Sequence, residues 1–167
     1  MDFPLLHPDP PMRDRRVWLA MLAGAGGGTV AIGLMELFAM RNAVPVMAVP
    51  FATSIVLVLG SPEVEAAQPR ALVGGHLVAT LVGLVVVKLA GPQPWAAAIA
   101  VGIAMVAMHA TRTFHPPAGI DPLLVVVNNM SWSFLLVPVA AGALALAAFA
   151  YAWHLGVRRF DWPTRWW

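Results

Sequence analysis

The chain has 167 residues, 60% hydrophobic and 11% charged, with a formal charge of +2 and a mean hydropathy of +0.77. A soluble domain carries roughly twice that charged fraction, so the composition points into a lipid bilayer. Cysteine is absent, which excludes disulfides and thiolate metal sites, and the basic residues sit at the ends of apolar runs, where they orient a membrane protein rather than bind nucleic acid.

Residues 1–16 hold four prolines and mixed charges and read as a cytoplasmic tail. Residues 17–35 follow without a single charge in 19 positions, far longer than a signal-peptide core, so they are expected to remain as a membrane helix. Gly24, Gly28 and Ile32, flanked by Ala25, Thr29 and Gly33, mark this as a packing helix. Further apolar runs cover 43–60, 71–87, 95–111, 120–130 and 133–155, and residues 157–167 form a basic, Trp-rich tail. Trp95, Trp162, Trp166 and Trp167 suit the membrane interfaces.

The fold expected is therefore all-α and polytopic, with a transmembrane domain over 17–156. With six crossings and an inner N-terminus, eight basic residues (Arg13, Arg15, Arg16, Arg70, Arg112, Arg158, Arg159, Arg165) lie inside, against Arg41 and Lys88 outside. Turning back only the short segment near 120–130 gives five against five; turning back the second segment as well gives seven against three. Six crossings are preferred, and a four-span version stays open.

Two of the runs are interrupted. Pro50 divides the second, and His115-Pro116-Pro117 precedes the fifth, which as a helix from Pro117 to Met130 would be about 21 Å long against a hydrocarbon core of about 30 Å. Residues 50–58 and 117–125 share a proline, a small residue two on, a polar residue four on (Ser54, Asp121) and an apolar continuation. This predicts a 3+3 inverted repeat whose discontinuous second and fifth segments meet at a binding site.

The candidate site residues follow. His115, held by an extended backbone before proline, can titrate, donate to an anion, or simply bond a loop carbonyl. Asp121 is either a helix cap or a proton or cation site. Thr53 and Ser54 supply hydroxyls, Arg70 is either a topology signal or an anion attractor, and Gly119 belongs to the turn. On the third run Gly75, Ala79 and Gly83 recur every four residues to admit a close neighbour, while His76 and Thr80 form an adjacent polar row; His109 shares a face with Thr113. No metalloprotease, nucleophile-elbow or phosphate-loop motif is present, so no enzyme activity is expected.

The His115-Pro116-Pro117 turn with Ala118-Gly119, the preceding Thr111 and Thr113, and the upstream block from Leu59 through Pro62, Gln68, Pro69 and Arg70 to Gly74-Gly75-His76 resemble the HPP family of integral membrane proteins. The resemblance covers about residues 17–151. It implies at least four transmembrane helices and, from plant and cyanobacterial members, nitrite transport; most bacterial members have no assigned substrate. Asp121 departs from the neutral small or amide residue expected in many relatives, and a fixed negative charge there argues against simple anion binding. The expectation is a transporter or channel for a small inorganic anion such as nitrite, proton-linked, in a bacterial inner membrane, with a non-transporting scaffold or sensor subunit as the alternative. Its partners would be lipid, the anion and a second copy of itself, with no cofactor, metal or nucleic acid.

Overall fold

A computed structural model describes residues 15–41, 49–158 and 161–166. Its regular structure is helical throughout: α1 (Arg15–Arg41), α2 (Val49–Gly60), α3 (Pro69–Ala90), α4 (Pro94–Ala110), α5 (Ile120–Val127) and α6 (Ala141–Trp153). Single 3-10 turns occupy Glu65–Ala67 and Pro116–Gly119, and wider π-type turns flank α6 at Leu135–Ala140 and His154–Arg158. Three stretches are long and apolar enough to cross a membrane, Arg15–Arg41, Pro69–Ala90 and Leu135–Arg158; Val49–Gly60, Pro94–Ala110 and Pro116–Val127 are shorter. The expected N-terminal tail and the first part of the second run lie mostly outside the described residues.

The boundaries follow from proline and glycine. Pro69, Pro94 and Pro116 open their helices at a position whose N–H would have no intrahelical acceptor. α3 stops at Gly91, whose φ of 75° is left-handed and whose N–H bonds the Val87 carbonyl. The last apolar run, expected to be continuous over 133–155, is broken instead: Val137 is extended (φ −134°, ψ 115°). The cause is Pro138, which excludes the helical conformation at the residue before it.

α3 is the central element, packed on α4, α5 and α6, and its glycines set how closely the neighbours lie. A Cβ at Gly75 would stand 2.6 Å from His115 Cβ, and one at Gly83 2.7 Å from Pro122 Cα. The expected four-residue stripe is thus used, against the His-Pro-Pro turn and α5. Gly83→Val should destabilise the protein by about 3 kcal/mol through overpacking, whereas Gly102→Ala, with nothing within 4 Å, should leave it unchanged or slightly more stable. Thermal unfolding in detergent measures both.

α1 packs through Gly24, Gly27 and Ala31, not through the Ala25, Thr29, Gly33 side of the expected stripe, which is exposed. Gly24 lies against the Leu59 carbonyl and Gly27 against the Trp153 ring, whose Nε1–H donates to the Ala23 carbonyl at 3.0 Å. Leu22, Met40, Leu89, Val106 and Leu136 stand exposed on the outer surface. In water such a surface would drive association; in a bilayer it is the lipid contact. Trp162 departs from its expected interfacial place: it is buried against the ring of His154.

Candidate functional site

Four polar side chains from four separate segments meet in the interior, each with no exposed surface: Ser54 of α2, His76 of α3, His115 before the Pro116–Gly119 turn, and Asp121 of α5. Ser54 Oγ lies 2.9 Å from Nε2 of His115 and 2.9 Å from Nε2 of His76. Nδ1 of His76 is 2.7 Å from Asp121 Oδ2, to which Thr80 Oγ1 also donates at 3.1 Å. At the other end Nδ1 of His115 is 2.7 Å from the Ala66 carbonyl. The result is a chain of short contacts, Ala66–His115–Ser54–His76–Asp121, with side contacts from Thr80 to Asp121 and from Ser54 to the Pro50 carbonyl at 3.5 Å.

Donor and acceptor rules fix most of its protons. A carbonyl only accepts, so His115 Nδ1 carries hydrogen and donates to Ala66. If His115 is neutral, its Nε2 accepts the Ser54 hydroxyl, and Ser54 Oγ in turn accepts Nε2–H of His76. One proton is then shared between His76 Nδ1 and Asp121 Oδ2. A second arrangement contains the same number of protons. His115 holds two and donates through Nε2 to Ser54, Ser54 donates to Nε2 of His76, and His76 donates through Nδ1 to a carboxylate. Passing between the two moves a positive charge from the Asp121 end to the His115 end through the Ser54 hydroxyl, without net proton uptake. Asp121 Oδ1 is buried with no hydrogen-bond partner among the described residues, an unusual cost for a carboxyl group in a protein interior.

The order Ser54, His76, Asp121 is that of a hydrolytic triad. Ser54 is nevertheless enclosed, its hydroxyl is engaged on both sides by imidazoles, and it sits inside a helix whose neighbouring N–H groups serve the helix. Nucleophilic attack on an external acyl group has no room there.

Of the residues singled out from the sequence, Ser54, His76, His115 and Asp121 therefore come together. Asp121 makes no capping bond; its carboxyl turns sideways to His76 and Thr80. His115 bonds a loop carbonyl through one nitrogen, as its structural reading expects, and Ser54 of the polar chain through the other. Arg70 lies apart, donating through Nη2 to the Thr111 carbonyl at 3.0 Å. Thr53 is exposed, one residue before the buried Ser54 and about 100° round α2 from it, Pro116 is exposed, and Pro117 and Gly119 are half-buried parts of the turn. Thr80 was visible only as a neighbour of His76, and the Ala66 carbonyl carried no sequence signal at all.

Two cavities flank this interior. One, of about 380 Å3, is a wholly apolar cleft between α1, α2 and α6, with Phe51, Leu34 and Phe149 among its walls. The other, of about 340 Å3, is polar and is walled by Glu65, Ala66, Ala71, His109, Arg112 and Phe114.

A family model described as HPP, transmembrane region, matches residues 10–163. Two transmembrane proteins of Dictyostelium discoideum are similar, one 37% and the other 33% identical over 125 residues. Each match covers 70% of this chain but 40% and 44% of those proteins, so the chain spans about two-fifths of the length of the curated relatives it matches. No solved structure matches.

Proposed function

Because the chain belongs to the HPP transmembrane family, we propose that it moves a small inorganic anion of the nitrite class across a membrane, together with a proton carried by the buried His–Ser–His–Asp chain. The observation that carries this reading is the chain itself, whose two proton arrangements displace charge between Asp121 and His115. Ionisable groups buried at membrane depth are expensive and serve proton and ion pathways. An anion beside Asp121 is opposed when that carboxylate is charged, and the shared proton removes the opposition. The protein would then act as a transporter, not as an enzyme.

Six crossings with both ends cytoplasmic fit this reading. Arg158 Nη1 donates to the Leu59 carbonyl, and Gln68 Oε1 accepts the backbone N–H groups of Thr164 and Arg165. The 61–68 loop and the C-terminal segment are therefore neighbours. A four-span arrangement, with α2 and α5 turned back, would put them on opposite membrane faces. The contact of Ser54 with His115 at 2.9 Å supports the meeting of the two interrupted segments that an inverted repeat calls for. Impermeant thiol labelling of intact cells should spare cysteines at Glu63 and Thr164 and modify one at Gln93; labelling at Glu63 would refute six crossings with an inner N-terminus.

A second reading has its own observation. All four polar side chains are fully buried and packed, as in a scaffold or sensor subunit whose polar core only fixes a fold. Uptake of nitrite, nitrate, formate and chloride into liposomes holding the purified protein separates the two. Protein-dependent flux of at least one anion supports transport; no flux of any of them between pH 5 and 8 leaves the scaffold.

A further inference from the structure

The polar cavity beside the His-Pro-Pro turn has no role in the hydrogen-bonded chain, yet it shares a wall with it. Ala66 lines the cavity and its carbonyl receives the His115 Nδ1–H. Arg112, which also lines the cavity, has φ of 55°, a left-handed conformation that costs a non-glycine residue about 1–2 kcal/mol. The surrounding turn holds it there: Arg112 N–H donates to the His109 carbonyl, Thr113 N–H to the Met108 carbonyl, and Arg70 to the Thr111 carbonyl. Glycine or asparagine would fit that backbone with less strain, but neither would put a guanidinium in the cavity wall. Among the described residues nothing pairs with or hydrogen-bonds its guanidinium.

We propose that this cavity is an entry site for a small monovalent oxyanion, attracted by Arg112 and delivered to the end of the chain at His115. The guanidinium offers a planar fork of donors matched to two oxygens of such an anion. The stacked rings of His109 and Phe114, 4.0 Å apart and 14° from parallel, form a flat wall beside it. Glu65 faces the same space and offsets part of the pull of Arg112 on an anion of any charge, so selection rests on size and on two oxygens meeting the guanidinium fork. Delivery onward rests on the transport reading given above, whereas binding in the cavity does not.

The test therefore uses chemistry rather than flux. The chain has no cysteine, so Ala66→Cys places a single thiol in the cavity wall of the 167-residue chain in detergent. Its rates with an anionic sulfonatoethyl thiosulfonate and a cationic trimethylammonium analogue report the local potential. Arg112→Gln should lower the anionic-to-cationic rate ratio about fivefold, and Glu65→Gln should raise it by a similar factor. Nitrite at tens of millimolar should slow the anionic reagent more than an equal ionic strength of sulfate does. Opposite signs for the two substitutions separate an electrostatic site from a structural role, which would move both the same way. Equal shifts, no shift, absence of nitrite protection, or a thiol reached by neither reagent at Ala66 and again at Ala71→Cys would each overturn the proposal. Absence of anion flux with these labelling results intact would instead overturn transport alone.

Discussion

Replacing His76 with leucine should destabilise the protein by about 3 kcal/mol, the cost of leaving a buried carboxyl group without the partner that shares its proton. His76 and Asp121 are both without exposed surface and 2.7 Å apart, and Thr80 alone cannot satisfy the carboxyl left behind, since Oδ1 already lacks a donor among the described residues. The volume of leucine is close to that of histidine, so little of the loss would come from a cavity. Changing Asp121 to leucine as well should recover much of it, because an apolar pair leaves no orphaned charge in a low-dielectric interior. The measurement is a double-mutant cycle from unfolding in detergent, read by far-ultraviolet circular dichroism. A His76→Leu protein within about 1 kcal/mol of the wild type would mean that the contact with Asp121 does not hold in the folded protein, and with it the proton path.

Protein-dependent anion uptake should increase as the outside pH is lowered from 8 towards 5, by up to about tenfold per unit where the proton is far from saturating. The sign follows from stoichiometry: if one proton enters with one anion, the rate follows proton concentration, and it flattens once the carrying group is filled. Nitrous acid crosses bilayers unaided, so flux through protein-free liposomes must be subtracted, and nitrate, which has no protonated form in this range, is the cleaner substrate. Asp121→Asn keeps the shape of the side chain but cannot release the proton, so it should retain some flux and lose most of the pH dependence. Ser54→Ala removes the only hydroxyl joining the two imidazoles and should do the same, at a fold cost of about 1–3 kcal/mol for the partners it strands. Wild-type uptake that is equal at pH 5 and pH 8 would end the proton-linked mechanism.

The sequence made Ser54, His76, His115 and Asp121 legible for a simple reason. Polar and ionisable residues are rare in apolar segments, and prolines reveal where a helix is interrupted. It did not reveal their order in the chain, because that depends on how α3 is inserted between two short segments, and spacing along one helix carries no such information. His154 was missed as a buried group: it closes onto the Val58 carbonyl at 3.0 Å, a backbone partner that leaves no trace in residue identity. For Arg70 the charge was conspicuous in the sequence, while its bond to the Thr111 carbonyl, which ties down a turn, was not. The break at Val137 was legible in principle from Pro138 alone, but a long apolar stretch masked it.

Gln68 links events that are far apart in the chain. Its amide nitrogen donates to the Pro62 and Val64 carbonyls, and its amide oxygen accepts from Thr164 and Arg165. The loop that presents Ala66 to His115 is therefore latched to the C-terminal segment by one buried side chain. Withdrawing the Ala66 carbonyl by moving that loop strains all four of these bonds together, so release of His115 should be cooperative with loosening of the C-terminal segment. Amide hydrogen exchange at Thr164 and Arg165 should then quicken in step with exchange at Ala67, and Gln68→Ala should speed all three. Independent exchange rates at the two ends would show that the loop moves without the tail.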